Sequence, residues 1–312
     1  MSENKGLLSN GLGMVLRNKR YLVWFYVLNL LLAAFGTVAF FTQAGRVLDR
    51  SLSADRLVHG FDVGVMGEMF SRPEFGPFDA AQASATYFGV LFFVATVLFL
   101  PGVFEGYAST YRLPREEFFR ACGRNLWRLI RLLIVAGVVM GAVASALFGI
   151  HGLLEKKAAE STNELLLPEV RLAGLAVIFL VMTVLRIWFD LAEVDVVLSD
   201  LRVVRKSISA GFRQTFRSLA KLLAIYVAIT LVAAVILAVG LWGWMRFVGP
   251  DRVGRAFVVS QLTLLLLLIP RFWQRGVAVA YWQQKMVAPV VAFVPVAPAP
   301  VMSEPVASPG VS

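Results

Sequence analysis

The sequence is poor in the residues from which most active sites and metal centres are built. Its 312 residues include one cysteine, Cys122, and two histidines, His59 and His151. A single cysteine excludes an intrachain disulfide and cannot by itself form a thiolate cluster around a metal. The His-Glu-x-x-His motif of zinc proteases does not occur. We therefore expect neither a metal nor a cofactor.

Charged residues are also scarce, at 16% of the chain, whereas 58% of the residues are hydrophobic. A helix of about 20 apolar residues crosses the hydrocarbon core of a bilayer. Six stretches approach or reach this length: about 21–41, 87–104, 129–150, 172–189, 222–244 and 256–273 or longer. They predict an all-α fold, a polytopic six-helix transmembrane bundle within residues 1–285. The sixth stretch is the least regular, because Pro270 and Arg271 interrupt it.

The predicted spans contain no Asp, Glu or His near their midpoints. Intramembrane aspartyl enzymes need paired Asp residues at depth, and a serine nucleophile needs a base beside it. Ion-coupled carriers commonly keep an ionisable group near the midplane. We therefore expect a protein that is not an enzyme. A permease-like transporter of a small neutral or lipidic solute stays open as an alternative.

The net charge of +10 is distributed unevenly about the spans. The two terminal segments and the even-numbered loops carry 20 Lys and Arg against 9 Asp and Glu, whereas the other loops carry 10 against 11. This bias predicts that both termini face the cytoplasm of a multi-pass protein in a bacterial cytoplasmic (inner) membrane. It also explains the basic composition without nucleic acid, for which no separate basic or aromatic module is present.

Two basic segments with helical periodicity precede the third and fifth spans. In the first, Phe119, Cys122, Leu126, Leu129 and Leu133 share one face; in the second, Ile208, Phe212, Phe216, Leu219 and Leu223 do so. We predict basic amphipathic juxtamembrane helices that contact anionic lipid through Arg120, Arg124, Arg128, Arg213 and Arg217. The alternative is that they are only the first turns of long spans.

The two basic segments belong to a weak internal repeat. Arg124-Asn125-Leu126-Trp127-Arg128 resembles Arg213-Gln214-Thr215-Phe216-Arg217, and residues 17–20 are a fainter copy. The even-numbered spans end with an aromatic residue followed by Glu105, Asp190 or Gln274. The pattern favours three tandem two-span units. If the even-numbered spans meet, Glu105, Arg186, Asp190 and Gln274 form a polar lock by pairing with Arg124, Arg128, Arg213 or Arg217.

The last segment, residues 286–312, contains six of the 13 prolines and predicts a disordered cytoplasmic tail.

The segment from Trp188 to Val197, followed by Asp200, Arg202 and the basic residues to Arg217, resembles bacterial six-span membrane proteins of unassigned function, as does Leu16 to Tyr21. These include the membrane domain attached to some glycerophosphodiester phosphodiesterases. No phosphodiesterase domain follows here, so the resemblance implies the layout and not that activity. We expect a non-enzymatic protein that organises or senses the bilayer through its basic cytoplasmic face, with membrane lipids and either a membrane-protein partner or a homo-oligomer as candidate partners.

Overall fold

The computed structural model describes residues 6–48, 64–65, 67, 71, 78–161, 163, 165–199, 203–248 and 253–286. Its elements, in chain order, are α1 (Leu7–Arg17), α2 (Lys19–Leu48), α3 (Phe78–Ala108), α4 (Arg115–Ala159), α5 (Leu166–Leu198), α6 (Val204–Arg217), α7 (Leu219–Phe247) and α8 (Val253–Tyr281), followed by a π-helical turn, Trp282–Met286. The described part of the chain contains no strand. Residues 287–312 of the predicted tail lie outside the described residues.

Six of these helices, α2, α3, α4, α5, α7 and α8, are long and apolar enough to cross a membrane, which confirms the predicted all-α six-helix bundle. The sixth span is longer than the apolar stretch, because α8 continues through Pro270 to Tyr281. Pro101 likewise lies inside α3. Within a bundle, neighbouring helices and side chains can satisfy the carbonyl group that such a proline leaves without a partner.

The six long helices form three antiparallel hairpins, α2 with α3, α4 with α5, and α7 with α8. The second helices of the hairpins, α3, α5 and α8, also contact one another and form the centre of the bundle. Phe104, Ile187, Leu191 and Phe272 are completely or almost completely buried there. The predicted meeting of the even-numbered spans is therefore observed.

Each amphipathic segment packs against the second helix of the preceding hairpin. The start of α4 packs on α3, α6 packs on α5, and α1 packs on α8, so the last contact closes a ring. This cyclic order of contacts agrees with three tandem units, whose equivalence stays a prediction. We call the end of the bundle where these contacts lie the basic end.

A glycine brings the backbones or side chains close at each of the three contacts. A Cβ atom on Gly11 would lie 2.8 Å from the backbone nitrogen of Val277, and one on Gly211 would lie 3.0 Å from the backbone oxygen of Trp188. In the third contact, Gly102 of α3 faces Phe118 and Cys122. Small residues at helix crossings permit this close approach.

Two of the three amphipathic segments are separate helices, whereas the third is continuous with its span. Helix α1 ends at Asn18 and α6 ends at Ser218, with similar backbone angles at both residues. Leu129 follows Arg128 at the matching place in α4, which runs for 45 residues without a break. Asn and Ser compete with the helical backbone for hydrogen bonds, but Leu is a good helix former. At 1.5 Å per residue α4 is about 68 Å long, far more than one bilayer core.

Candidate functional site at the basic end of the bundle

The side chains of the predicted polar lock, Glu105, Arg186, Asp190 and Gln274, lie at the basic end and form two clusters. In the first, Arg124 Nη2 donates a hydrogen bond to Glu105 Oε1 at 2.6 Å, and Asn125 Nδ2 donates to the same oxygen at 3.2 Å. Glu105 is mostly buried, whereas the Arg124 side chain is half exposed. This pair joins the end of α3 to the start of α4.

The second cluster joins α5, α7 and α8. Tyr226 Oη donates to Asp190 Oδ2 at 2.9 Å and can also donate to the backbone oxygen of Gln274 at 3.3 Å. Gln274 Nε2 donates to Thr230 Oγ1 at 3.2 Å. The cation nearest to Asp190 is Arg186 of its own helix, whose Nε lies 3.8 Å from Oδ2. Asp190 and Gln274 thus lie together, without a recorded bond to Arg213 or Arg217.

Sequence reasoning missed the cation that serves this second cluster. Arg275 of α8 lies near enough to Glu193 and Asp190 of α5, and to Tyr107 of α3, for their charges to interact, although it forms no ion pair within 4.0 Å in the described part of the chain. Glu193 is 8% exposed. The available signal was Arg271 and Arg275, four residues apart and therefore on one helical face. The sequence predicts a sixth span over 256–273 or longer, so it did not decide whether Arg275 belongs to the bundle.

The predicted lipid-contacting arginines differ in what else they touch. Arg120 forms an ion pair with Glu116 at 2.6 Å, and both side chains are strongly exposed. Arg128 is half-buried on α4. Arg213 and Arg217 are exposed on α6 and have no ion pair or hydrogen bond within the described residues. Arg213 and Arg217 are therefore the cations available to an external anion.

The face of α6 that packs on the bundle differs from the predicted apolar face. Ser207, Gly211 and Thr215 are completely buried or nearly so against α5, whereas Phe212 and Phe216 are about half exposed. In α4, Phe118 is buried while its neighbour Phe119 is 55% exposed. Small residues pack the segments closely against the bundle, and the aromatic side chains point outward. The outward position of Phe119, Phe212 and Phe216 leaves them free for the membrane contact that the sequence predicts for these segments.

Two tryptophans fasten the separate amphipathic helices to the bundle. Trp188 Nε1 donates to the backbone oxygen of Ile208 in α6, and Trp273 Nε1 donates to that of Leu8 in α1, both at 2.8 Å. Ile208 and Leu8 each lie three residues before the close-packed glycine of their helix. Each contact therefore joins a tryptophan of a central helix to a carbonyl group three residues before a close-packed glycine.

Replacing either tryptophan by phenylalanine tests this fastening. Trp273→Phe leaves the Leu8 carbonyl without its donor, and we expect a loss of about 1 kcal/mol in the free energy of unfolding. Thermal unfolding in detergent measures it. Trp242→Phe is the control, because Trp242 is exposed at the far end of α7; equal losses for the two variants would contradict the fastening.

Within the described residues, no group of three or more His, Cys, Asp or Glu side chains is placed to hold a metal ion. Cys122 is buried against Gly102. His151 lies at the opposite end of the bundle, where its Nε2 is 3.4 Å from Glu155 Oε1. Neither residue belongs to the clusters at the basic end.

Comparison of the chain with protein-family models, curated proteins and solved structures found no match to any of them. The resemblance to bacterial six-span proteins therefore stays a prediction.

Proposed function

We propose that this chain is a non-enzymatic multi-pass protein of a bacterial cytoplasmic membrane, which binds anionic lipid headgroups through its basic end. The observation that carries the proposal is the arrangement of α6. Phe212 and Phe216 point outward beside the exposed Arg213 and Arg217. A helix with outward aromatic and basic side chains suits the boundary between headgroups and acyl chains.

The charge distribution supports the orientation that this proposal needs. Most of the excess Lys and Arg belongs to the basic end and the segments adjoining it. Positive loops are retained in the cytoplasm during insertion, and cytoplasmic leaflets are rich in anionic lipid. Both termini then face the cytoplasm, and the exposed arginines meet the charge that they complement.

The polar side chains within the long helices favour a lipid-binding protein over a permease. Thr96, Thr183 and Thr230 each donate to the carbonyl oxygen four residues earlier in their own helix. Ser260 and Thr263 do the same in α8. These hydroxyl protons are engaged within their own helices, which leaves few donors for a polar path between helices. Phe104, Ile187 and Phe272 of the central helices instead belong to one apolar core.

The double variant Arg213→Gln, Arg217→Gln tests the proposal. Each arginine contributes about 1 kcal/mol to attraction by an anionic surface. The variant should therefore retain less phosphatidylglycerol relative to phosphatidylcholine when it is released from nanodiscs of equal parts of the two lipids. Native mass spectrometry measures the ratio.

Arg120→Gln is the matched control, since Glu116 already compensates its charge. A retained-lipid ratio that is the same in the double variant, the control and the parent protein would contradict the lipid role.

A further inference from the structure

An apolar groove opens on the surface of the bundle between α2, α3 and the start of α4. Its volume is about 360 Å³. Six apolar side chains line it: Trp24, Phe25, Leu28, Phe99, Phe118 and Phe119. The seventh lining residue is Arg115, the first residue of α4.

Arg115 supplies the only charge in this lining. Its side chain is exposed and has no hydrogen bond or ion pair within the residues that the structure describes. It precedes Phe118 and Phe119 by one helical turn, so the charge lies toward the basic end and the aromatic walls lie deeper. An exposed guanidinium without a partner is a ready donor to a phosphate oxygen.

Arg17 and Arg20, at the end of α1 and the start of α2, hold the linker that precedes Arg115. Arg17 Nη2 donates to the backbone oxygen of Ser109, and Arg20 Nη2 donates to that of Leu113, both at 2.7 Å. The Arg20 guanidinium also lies 4.9 Å from the ring centroid of Tyr21. These bonds fix the start of α4 beside α2, which orders the rim of the groove before any ligand arrives.

A second groove of similar volume has no charged residue in its lining. It lies between α3 and α4, has a volume of about 390 Å³, and is lined only by aliphatic residues and Phe93. Ordinary acyl chains can cover such a surface without selection by headgroup. The first groove thus differs from the second in its charge, Arg115, and in its mainly aromatic walls.

We propose that the Arg115 groove binds one acyl chain of an anionic glycerophospholipid, whose phosphate is held by the Arg115 guanidinium. The proposal rests on the proposed function for its orientation, because the lipid belongs to the leaflet at the basic end. From Lys19, where α2 begins, to Leu28 the helix rises about 13 Å, which is less than half of a hydrocarbon core. The groove therefore fits within one leaflet.

Trp24 permits a local measurement, because its indole lines the groove and is 37% exposed. The protein is placed in vesicles that contain phosphatidylglycerol or phosphatidylcholine with brominated acyl chains at equal mole fraction. The quenching of Trp24 is the difference between the parent protein and Trp24→Phe. We expect occupancy by the anionic lipid to be favoured about fivefold, the contribution of one arginine near a charged surface.

Arg115→Gln should abolish this preference, and Arg112→Gln, on the same linker but outside the groove, should keep it. Leu28→Phe narrows the groove and should lower quenching by both lipids, whereas Leu98→Phe in the second groove should not. Equal quenching of Trp24 by the two lipids in the parent protein would overturn the Arg115 site. If the double variant of Arg213 and Arg217 still retained less phosphatidylglycerol, the proposed function would hold although the Arg115 site was wrong. If instead Trp24 were quenched preferentially by the anionic lipid and the double variant retained the parent's lipid ratio, the Arg115 site would hold and the lipid role of α6 would be wrong.

Discussion

Gly11→Leu is expected to separate α1 from α8 and to lower the free energy of unfolding by about 1–3 kcal/mol, the usual range for overpacking a tight contact. The reason is that the glycine faces backbone atoms. Its Cβ would lie 2.8 Å from the Val277 nitrogen, and a Cβ on Gly276 would lie 2.6 Å from the Gly11 oxygen. Backbone cannot rotate away as a side chain can. Thermal unfolding in detergent measures the loss.

Gly13→Leu is the matched control on the same helix, because no atom lies within 4 Å of the Cβ position of Gly13. Both substitutions gain about 1 kcal/mol or less of helix propensity. The difference between them therefore isolates the contact with α8. If Gly13→Leu destabilised the protein as much as Gly11→Leu, α1 would not be docked in this way.

Arg275→Met is expected to have the second large effect, a loss of about 1–3 kcal/mol in the free energy of unfolding. The substitution removes one of the two α8 cations, Arg271 and Arg275, whose charge acts on the carboxylates of α5. Burial makes an uncompensated carboxylate costly, and Glu193 is almost completely buried. Urea or thermal unfolding of the purified protein in detergent gives the change.

A double substitution separates the electrostatic interaction of Arg275 with Glu193 from simple loss of packing. Arg275→Met combined with Glu193→Met removes both charges, and we expect it to recover much of the stability lost by the single variant. Arg120→Met serves as the exposed comparison and should change stability by less than about 1 kcal/mol. A double variant as unstable as Arg275→Met alone would show that the charges do not compensate each other.

The long apolar stretches predicted the bundle because hydrophobicity over about 20 residues is a strong signal. The prediction of α6 as a basic helix is confirmed, but its buried face was not predictable from hydrophobicity. Ser207, Gly211 and Thr215 pack inward because they are small, and a pattern of apolar residues does not register size. Helix α1 was missed for the same reason, since its contact depends on Gly11.

The sequence predicted at which end of the bundle the polar residues of the lock lie, but not which residue each of them contacts. Glu105 pairs with Arg124, which is one of the four arginine partners that the sequence allowed. Asp190 instead meets Tyr226 and Arg186. Partner choice depends on the rotation of α5 and α8 about their axes, which is set by packing across the whole bundle. Whether these contacts act as a lock stays a prediction.

The contact between α1 and α8 has a consequence for biogenesis. Helix α1 leaves the ribosome before any span, yet Gly276, against which it packs, emerges after five spans have been made. Until then α1 can form its hydrogen bonds to the end of α3, through Arg17, but not its close packing against α8. The ring of contacts therefore cannot be complete before α8 has been inserted.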